Sequence, residues 1–278
     1  MKISRLDLDG AGSPSALVAR ILEVVPDLPL PVPLEALCER FDIVSIGDLH
    51  TEGFEAALIT DELRSAGHIL VARDRSPQRR RFSIGHELGH FLIPTHKVPA
   101  GGRLFCTADD LRILGDKEQD RHRRMEAEAN RFAAELLIPS PTLKSQLRAI
   151  REPQVGDVIR LASLFDVSRE AMARAMIEHD RRALAVIIVA NGLVARMYRN
   201  EKLFPWIDAR RGSGLPTGSA WHDQAWQPGE VSQVEECAPE VWLSASSARR
   251  VEVLTEQVLG QVKGHAMILL HAELAGDD

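Results

Sequence analysis

Apolar residues along this chain recur first at helical spacing, then in short strand-like runs, then in a second block of helices, before a final β-type stretch. Ser15 to Val25 reads as a helix ended by Pro26, and Leu34 to Phe41 as a shorter one, with the stiff, extended Leu28-Pro-Leu-Pro-Val-Pro33 between them. Asp42 to Ile46 has the look of a strand. Phe54 to Thr60 and Gly67 to Ala72 read as two strands around Asp61-Glu62, paired antiparallel. Arg73 to Gln78 reads as a turn into an amphipathic helix that carries Arg81 to Ile93 and is closed by Pro94 and Pro99. Gly101 to Asp120 is polar and reads as irregular. Arg123 to Ile138 is a strongly patterned helix stopped by Pro139 and Pro141, and helices follow at Pro141–Ala149, Val155–Leu164 and Arg169–Glu178.

The pattern changes after Arg182. Leu184 to Ala190 and Leu193 to Arg199 flank Asn191-Gly192, a pair suited to the positive φ angles of a type I′ turn, so the three together predict a β-hairpin. The remainder of the chain is rich in Gly, Pro, Ser and Trp and reads as a small β-containing domain. The expected class is α+β. A small antiparallel sheet over about residues 42–72 should pack beside the helix of His86, and the helix of residues 123–138 should cross that helix.

Candidate chemistry sits on the helix of residues 81–93. His86-Glu-Leu-Gly-His90 is an H-E-x-x-H motif, and a four-residue spacing puts both imidazoles on one side of a helix, one turn apart. Two neutral nitrogens so placed can share one zinc ion. Glu87, beside the first ligand, can take a proton from a water on the metal and so act as general base for hydrolysis. A chance motif would fall on polar surface, whereas Phe82, Ile84, Leu88, Phe91 and Leu92 give this helix a packing face, and its buried polar atoms need partners.

Two residues compete as third ligand. His96 lies six positions after His90, but a chain turning sharply off the helix wants glycine where Ile93 stands, and a β-branched residue resists positive φ. Glu126 is the better candidate. On its helix, Met125, Ala129, Phe132, Ala133, Leu136 and Leu137 form the apolar face, and Glu126 and Asn130 share one edge of it. Asn130 is then placed to hydrogen-bond a ligating side chain from behind. Glu128 falls on the solvent face with Arg124, Arg131 and Glu135 and reads as a surface ion-pair residue.

Charge and composition narrow the partners. Lys and Arg number 34 against 40 Asp and Glu, a net charge of −6, which supplies no general electrostatic reason to bind nucleic acid or an anionic membrane. Cys38, Cys106 and Cys237 are odd in number and far apart, as expected of reduced thiols in a cytoplasmic protein. No N-terminal segment resembles a signal peptide, and runs such as Ala183 to Ala190 are too short to span a membrane. A thiolate at Cys106 could cap the open zinc position and hold an enzyme inactive; a plain buried thiol is the simpler reading. Arg79-Arg80-Arg81 reads as a solvated turn, with substrate carboxylates as its functional alternative. Leu161 to Ala171 resembles a helix-turn-helix capped by Ser168, but Asp157, Asp166 and Glu170 offset Arg160, Arg169 and Arg174, so DNA binding ranks below a structural or docking role. An oxyanion stabiliser is not singled out: His96, His122, His222 and Arg79 to Arg81 are candidates, and the only tyrosine, Tyr198, lies far along the chain.

The motifs R-x-F-S-I-G-H-E-L-G-H-F-L-I and E-A-E-A-N-R-F-A-A-E-L-L-I-P together resemble the ImmA/IrrE metallopeptidases, over about Pro31 to His179. The resemblance implies a zincin-like, gluzincin-type core with His86, His90 and Glu126 as Zn2+ ligands and Glu87 as general base. It also implies a protein substrate, a helix-turn-helix repressor whose cleavage switches on mobile-element or stress-response genes. The chain then divides into a zinc metallopeptidase domain at 1–140, a helical helix-turn-helix-like segment at 141–180 and a C-terminal β-containing domain at 181–278 with a sensory or regulatory role. The rival expectation is a DNA-binding or sensory regulator with a structural or vestigial zinc site. Glu87 favours the enzyme, since a structural site needs no base.

Overall fold

A computed structural model describes residues 2–112 and 120–276. The chain forms two compact units, Met1–Pro139 with Ser163–Ser168, and Ser140–Ala162 with Arg169–Asp278.

In the first unit, helices α1 (Pro14–Val24) and α2 (Leu34–Arg40) precede strands β1 (Ile43–Leu49), β2 (Ala56–Thr60) and β3 (Gly67–Ala72). Helix α3 (Pro77–Leu92) follows, then strand β4 (Arg103–Cys106) and helix α4 (Arg121–Leu137). The sheet runs β1-β3-β2-β4. β2 pairs antiparallel with both β3 and β4, as expected for β2 and β3, but β1 pairs parallel with β3, so the sheet is mixed rather than wholly antiparallel. The cause is the β2–β3 hairpin, which folds back so that β3 lies between β1 and β2. β4 occupies the stretch read as irregular. It is entered through Gly102, at φ +72°, where a Cβ would collide with the Thr60 carbonyl oxygen. Residues 113–119 of that stretch lie outside the described residues.

Helix α3 starts one turn earlier than Arg81, with Ser76 accepting from the Arg79 amide and Pro77 in the first turn, where a missing N–H costs nothing. The arginines 79 to 81 therefore lie on a helix rather than in a turn. Each is paired within the unit: Arg79 with Glu55 at 3.4 Å, Arg80 with Asp48 at 3.3 Å, and Arg81 with Asp166 at 3.2 Å. From Ser83 to Phe91 every residue of α3 is buried, because β2 and β3 cover one side and α4 the other. Its last carbonyls do not go unmet: Arg64 donates to the oxygens of Phe91 and Ile93, at 3.1 and 2.7 Å.

Helices α3 and α4 approach closely through small residues. A Cβ on Gly85 would meet the Ala133 Cβ at 3.3 Å, and one on Gly89 would meet Phe132 Cδ1 at 3.1 Å and the Ala129 Cα at 3.3 Å. Two glycines one turn apart thus face two alanines one turn apart, which brings the backbones together and lets short side chains on the adjoining edges meet.

The second unit holds α5 (Ser140–Arg148), most of α6 (Val155–Phe165), α7 (Arg169–His179), and a five-stranded antiparallel sheet of order β6-β5-β9-β8-β7. β5 (Ala183–Ala190) and β6 (Leu193–Arg199) are joined by Asn191 and Gly192 at φ 51° and 74°, the hairpin turn expected from that pair. β7 (Glu235–Glu236), β8 (Val251–Gly260) and β9 (His265–Leu274) complete the sheet, with a one-turn helix α8 (Ala245–Ala248) before β8. Alternate residues Ala185, Ile187 and Val189 of β5, with Ile268 and Leu270 of β9, share a buried core with Trp242. The mixed α and β content agrees with the α+β expectation. Between α6 and α7 the chain turns through Asp166 at φ 50°. At the start of α7, Glu170 accepts from Arg196 at 2.6 Å and from Tyr198 at 2.7 Å, so the first turn of this helix is engaged with β6. Among the described residues no helix is long and apolar enough to cross a membrane.

Candidate metal centre

Consecutive turns of α3 place the Nε2 atoms of His86 and His90 3.0 Å apart. Across the close contact, α4 brings one oxygen of Glu126 to 3.2 Å from His86 Nε2 and 3.4 Å from His90 Nε2. Cys106, on β4, joins them: its sulfur and the three other ligand atoms all lie within 4.8 Å of one another, and all four residues are buried. Asn130, one turn after Glu126, stands behind His86 at 2.9 Å.

The outer hydrogen bonds dictate which nitrogens carry protons. Asn130 Nδ2 donates to the Asp110 carbonyl oxygen at 2.8 Å, so its Oδ1 faces His86 and must accept from His86 Nδ1. On the other side, His96 Nε2 donates to Glu128 at 3.0 Å, and His90 Nδ1 therefore donates to the His96 Nδ1 lone pair at 2.9 Å. With each Nδ1 protonated, a neutral imidazole offers a bare lone pair at Nε2. Two such lone pairs and an oxygen of Glu126 that accepts no hydrogen bond point into one small space. A buried acceptor left alone costs about 1–3 kcal/mol, and three that converge repel one another. A cation answers all three at once. The donor set, two imidazoles, a carboxylate and a thiol, fits a borderline-soft divalent metal.

Titration follows the same geometry. Burial, against the pull of Glu126, takes the His90 pKa down to about 3, which keeps that ring neutral. His96 is likewise lowered by burial, against the pull of Glu128. Burial opposes charge on His86 too, but Glu126, Glu87 and Asn130 outweigh it and raise its pKa. Burial would raise the Glu126 carboxyl, yet the two imidazoles hold it well below the usual carboxylate range. A proton and a metal thus compete for one lone pair of His86.

Glu87 follows the first of these ligands on α3. It is fully buried, and burial pushes its pKa up to about 7 against the attraction of His86 and the hydrogen bond of the Cys106 thiol. A carboxylate poised near neutrality is suited to taking and returning a proton. A divalent cation in the cluster would lower that value again.

The side chains named from the sequence are thus brought together: His86, His90 and Glu126 around one point, with Glu87 and Asn130 beside them. His96 is not at that point but behind His90. Glu128, read as a surface ion-pair residue, is half-buried and accepts from His96, which stands 32 positions earlier in the chain. Of the oxyanion candidates, Arg79 to Arg81 are ion-paired and His222 belongs to the other unit. His122 is the one at the rim, half exposed, with Nε2 3.7 Å from the second oxygen of Glu126. The Gly85–Ala133 and Gly89–Ala129 contacts that permit the convergence have a sequence signal of their own, small residues at four-residue spacing on both helices.

Residues 38–176, half of the chain, match the protein family described as the IrrE N-terminal-like domain, peptidase M78. A solved structure titled Mycobacterium tuberculosis transcriptional regulator shares the fold, with a TM-score of 0.51 over 86% of this chain and 69% of that one, at 16% sequence identity. No curated protein matches the chain.

Proposed function

Since the chain belongs to the peptidase M78 family through its IrrE N-terminal-like domain, we propose that it is a zinc-dependent endopeptidase of the cytoplasm that cleaves a regulatory protein, a helix-turn-helix repressor. The observation that carries this reading is Glu87: a fully buried carboxyl that burial pushes up to about 7, next to three convergent ligand atoms. A structural metal site has no use for it.

On this reading His86, His90 and Glu126 hold the metal, and Asn130 and His96 fix the imidazoles in the tautomer that leaves Nε2 free. Bound there, zinc would supply Lewis-acid activation of water and of the scissile carbonyl. Glu87 takes the proton of the attacking water at its carboxylate and returns it to the leaving amine. His122, at the rim, donates from its ring to the oxygen on which negative charge develops. The surrounding α3, α4 and β-sheet residues keep the carboxylate out of bulk water, which strengthens each of these interactions.

A second reading, a regulator whose metal is structural, draws support from the presence of a potential fourth ligand, Cys106, in the cluster. The similar fold of a protein titled transcriptional regulator fits it as well. The two readings part in one experiment. Purified protein with one equivalent of zinc is incubated with a helix-turn-helix repressor encoded beside it, and the products are mapped by mass spectrometry. A discrete cut that a chelator abolishes supports the peptidase; an intact repressor held in a stable complex supports the regulator.

A further inference from the structure

The position of Cys106 is set by the sheet rather than by chance packing. β4 pairs with β2 so that Cys106 lies opposite Ala56, and its carbonyl oxygen accepts from the Glu55 amide at 2.8 Å. That register turns the thiol inward, where it is wholly buried among His86, His90, Glu126 and Glu87. As a neutral thiol, Cys106 has one weak S–H donor, and Glu87 is its acceptor. That one donor leaves its sulfur facing the lone pairs of two imidazoles and the carboxylate of Glu126. Every one of these neighbours repels a thiolate unless a cation lies between them.

Three protein ligands leave one position of a tetrahedral metal open; four close it. Resting on the metal-peptidase reading above, we propose that Cys106 is the fourth protein ligand of this metal and that it closes the open position in the resting protein, so that the peptidase is latent. The thiol rides on β4, which pairs on one side only, with β2, among the described strands. The fourth ligand can therefore leave without unpacking α3 from α4, and the three ligands on those helices stay in place when it does.

The test is X-ray absorption at the zinc edge on the full chain carrying one equivalent of zinc. One sulfur scatterer at about 2.3 Å, beside nitrogen and oxygen scatterers at about 2.0–2.2 Å, is expected. The Cys106→Ala variant, loaded equally, should lose the sulfur and keep the rest. A wild-type spectrum with only nitrogen and oxygen overturns the proposal and leaves the metal-peptidase reading standing. A sulfur shell that persists in the variant overturns it too. Failure of the wild type to bind zinc overturns both. Should the variant not fold, the cobalt-substituted wild type decides: a sulfur-to-cobalt charge-transfer band in the near ultraviolet is expected, and its absence refutes the thiolate ligand. Closure is read separately with acetohydroxamate, which should bind the folded Cys106→Ala protein at least about tenfold more tightly than the wild type; equal binding refutes closure.

Discussion

His96 Nδ1 lies 2.9 Å from His90 Nδ1, so the histidine six positions after His90 stands behind that ring instead of beside its Nε2. Ile93 keeps a negative φ, −72°, as a β-branched residue must, and the chain curls round to deliver His96 from behind. Glu128 completes the line by accepting from His96. His96→Ala should therefore weaken metal binding by about 10–100-fold, the usual cost of losing an outer partner of a ligating histidine. Competitive titration against a chromogenic chelator measures it. Glu128→Gln keeps an acceptor and should cost less.

Gly89 permits the approach of α3 to α4, with the Ala129 backbone 3.3 Å from where a Cβ would stand. Gly89→Val adds two further carbons to that contact and should destabilise the fold by about 1–3 kcal/mol, the range for overpacking. It should also lower metal affinity, because Glu126 rides on the displaced helix. Thermal unfolding of the metal-free protein and a chelator titration together check both effects.

Metal binding should weaken as pH falls. The folded-state pKa of His86 is raised, so below that pKa the ligand nitrogen is protonated and the metal must displace the proton. Above it His86 releases no proton, and the dependence that remains is that of the Cys106 thiol, which gives up its proton on becoming a ligand. His90, with its pKa down at about 3, contributes nothing in the working range. Each pH unit below the His86 pKa should cost about tenfold in affinity through this proton, over and above the thiol's share. Calorimetry in two buffers of different ionisation enthalpy counts the proton. Affinity that falls no more steeply below neutral pH than above it would contradict this assignment.

His122→Ala should reduce kcat by about a hundredfold, the low end for losing an oxyanion donor, and leave KM and zinc content nearly unchanged. Its ring is half exposed, 3.7 and 4.0 Å from the carboxylates of Glu126 and Asp110, so its removal should not disturb the fold. Steady-state kinetics with the cleaved repressor separates the two constants.

Much of this arrangement is legible in the chain, and the boundary of legibility has physical causes. Helical period, proline stops and the Asn191-Gly192 turn are local signals, and α1 to α7 and the β5–β6 hairpin follow from them. The convergence of α3 and α4 follows from the edge that Glu126 shares with Ala133. β4 escaped because four residues are too few to show a period, and its pairing partner β2 lies more than forty positions earlier. The parallel β1–β3 pair escaped because the order of strands in a sheet is a long-range choice. β8 and β9 lay unread within the Gly-, Pro- and Ser-rich tail. Glu128 looked like surface because its helix face alone was considered, without the loop that carries His96 over it.

The central claim, that Glu87 is the base of a metal-dependent hydrolysis, is tested most directly by one comparison. Wild type and Glu87→Gln, each verified to carry one zinc, are timed on the same repressor. The amide cannot take a proton, while His86, His90 and Glu126 are untouched, so cleavage should fall by more than about a hundredfold at equal zinc content. Equal cleavage rates at equal zinc content would contradict the assignment of Glu87.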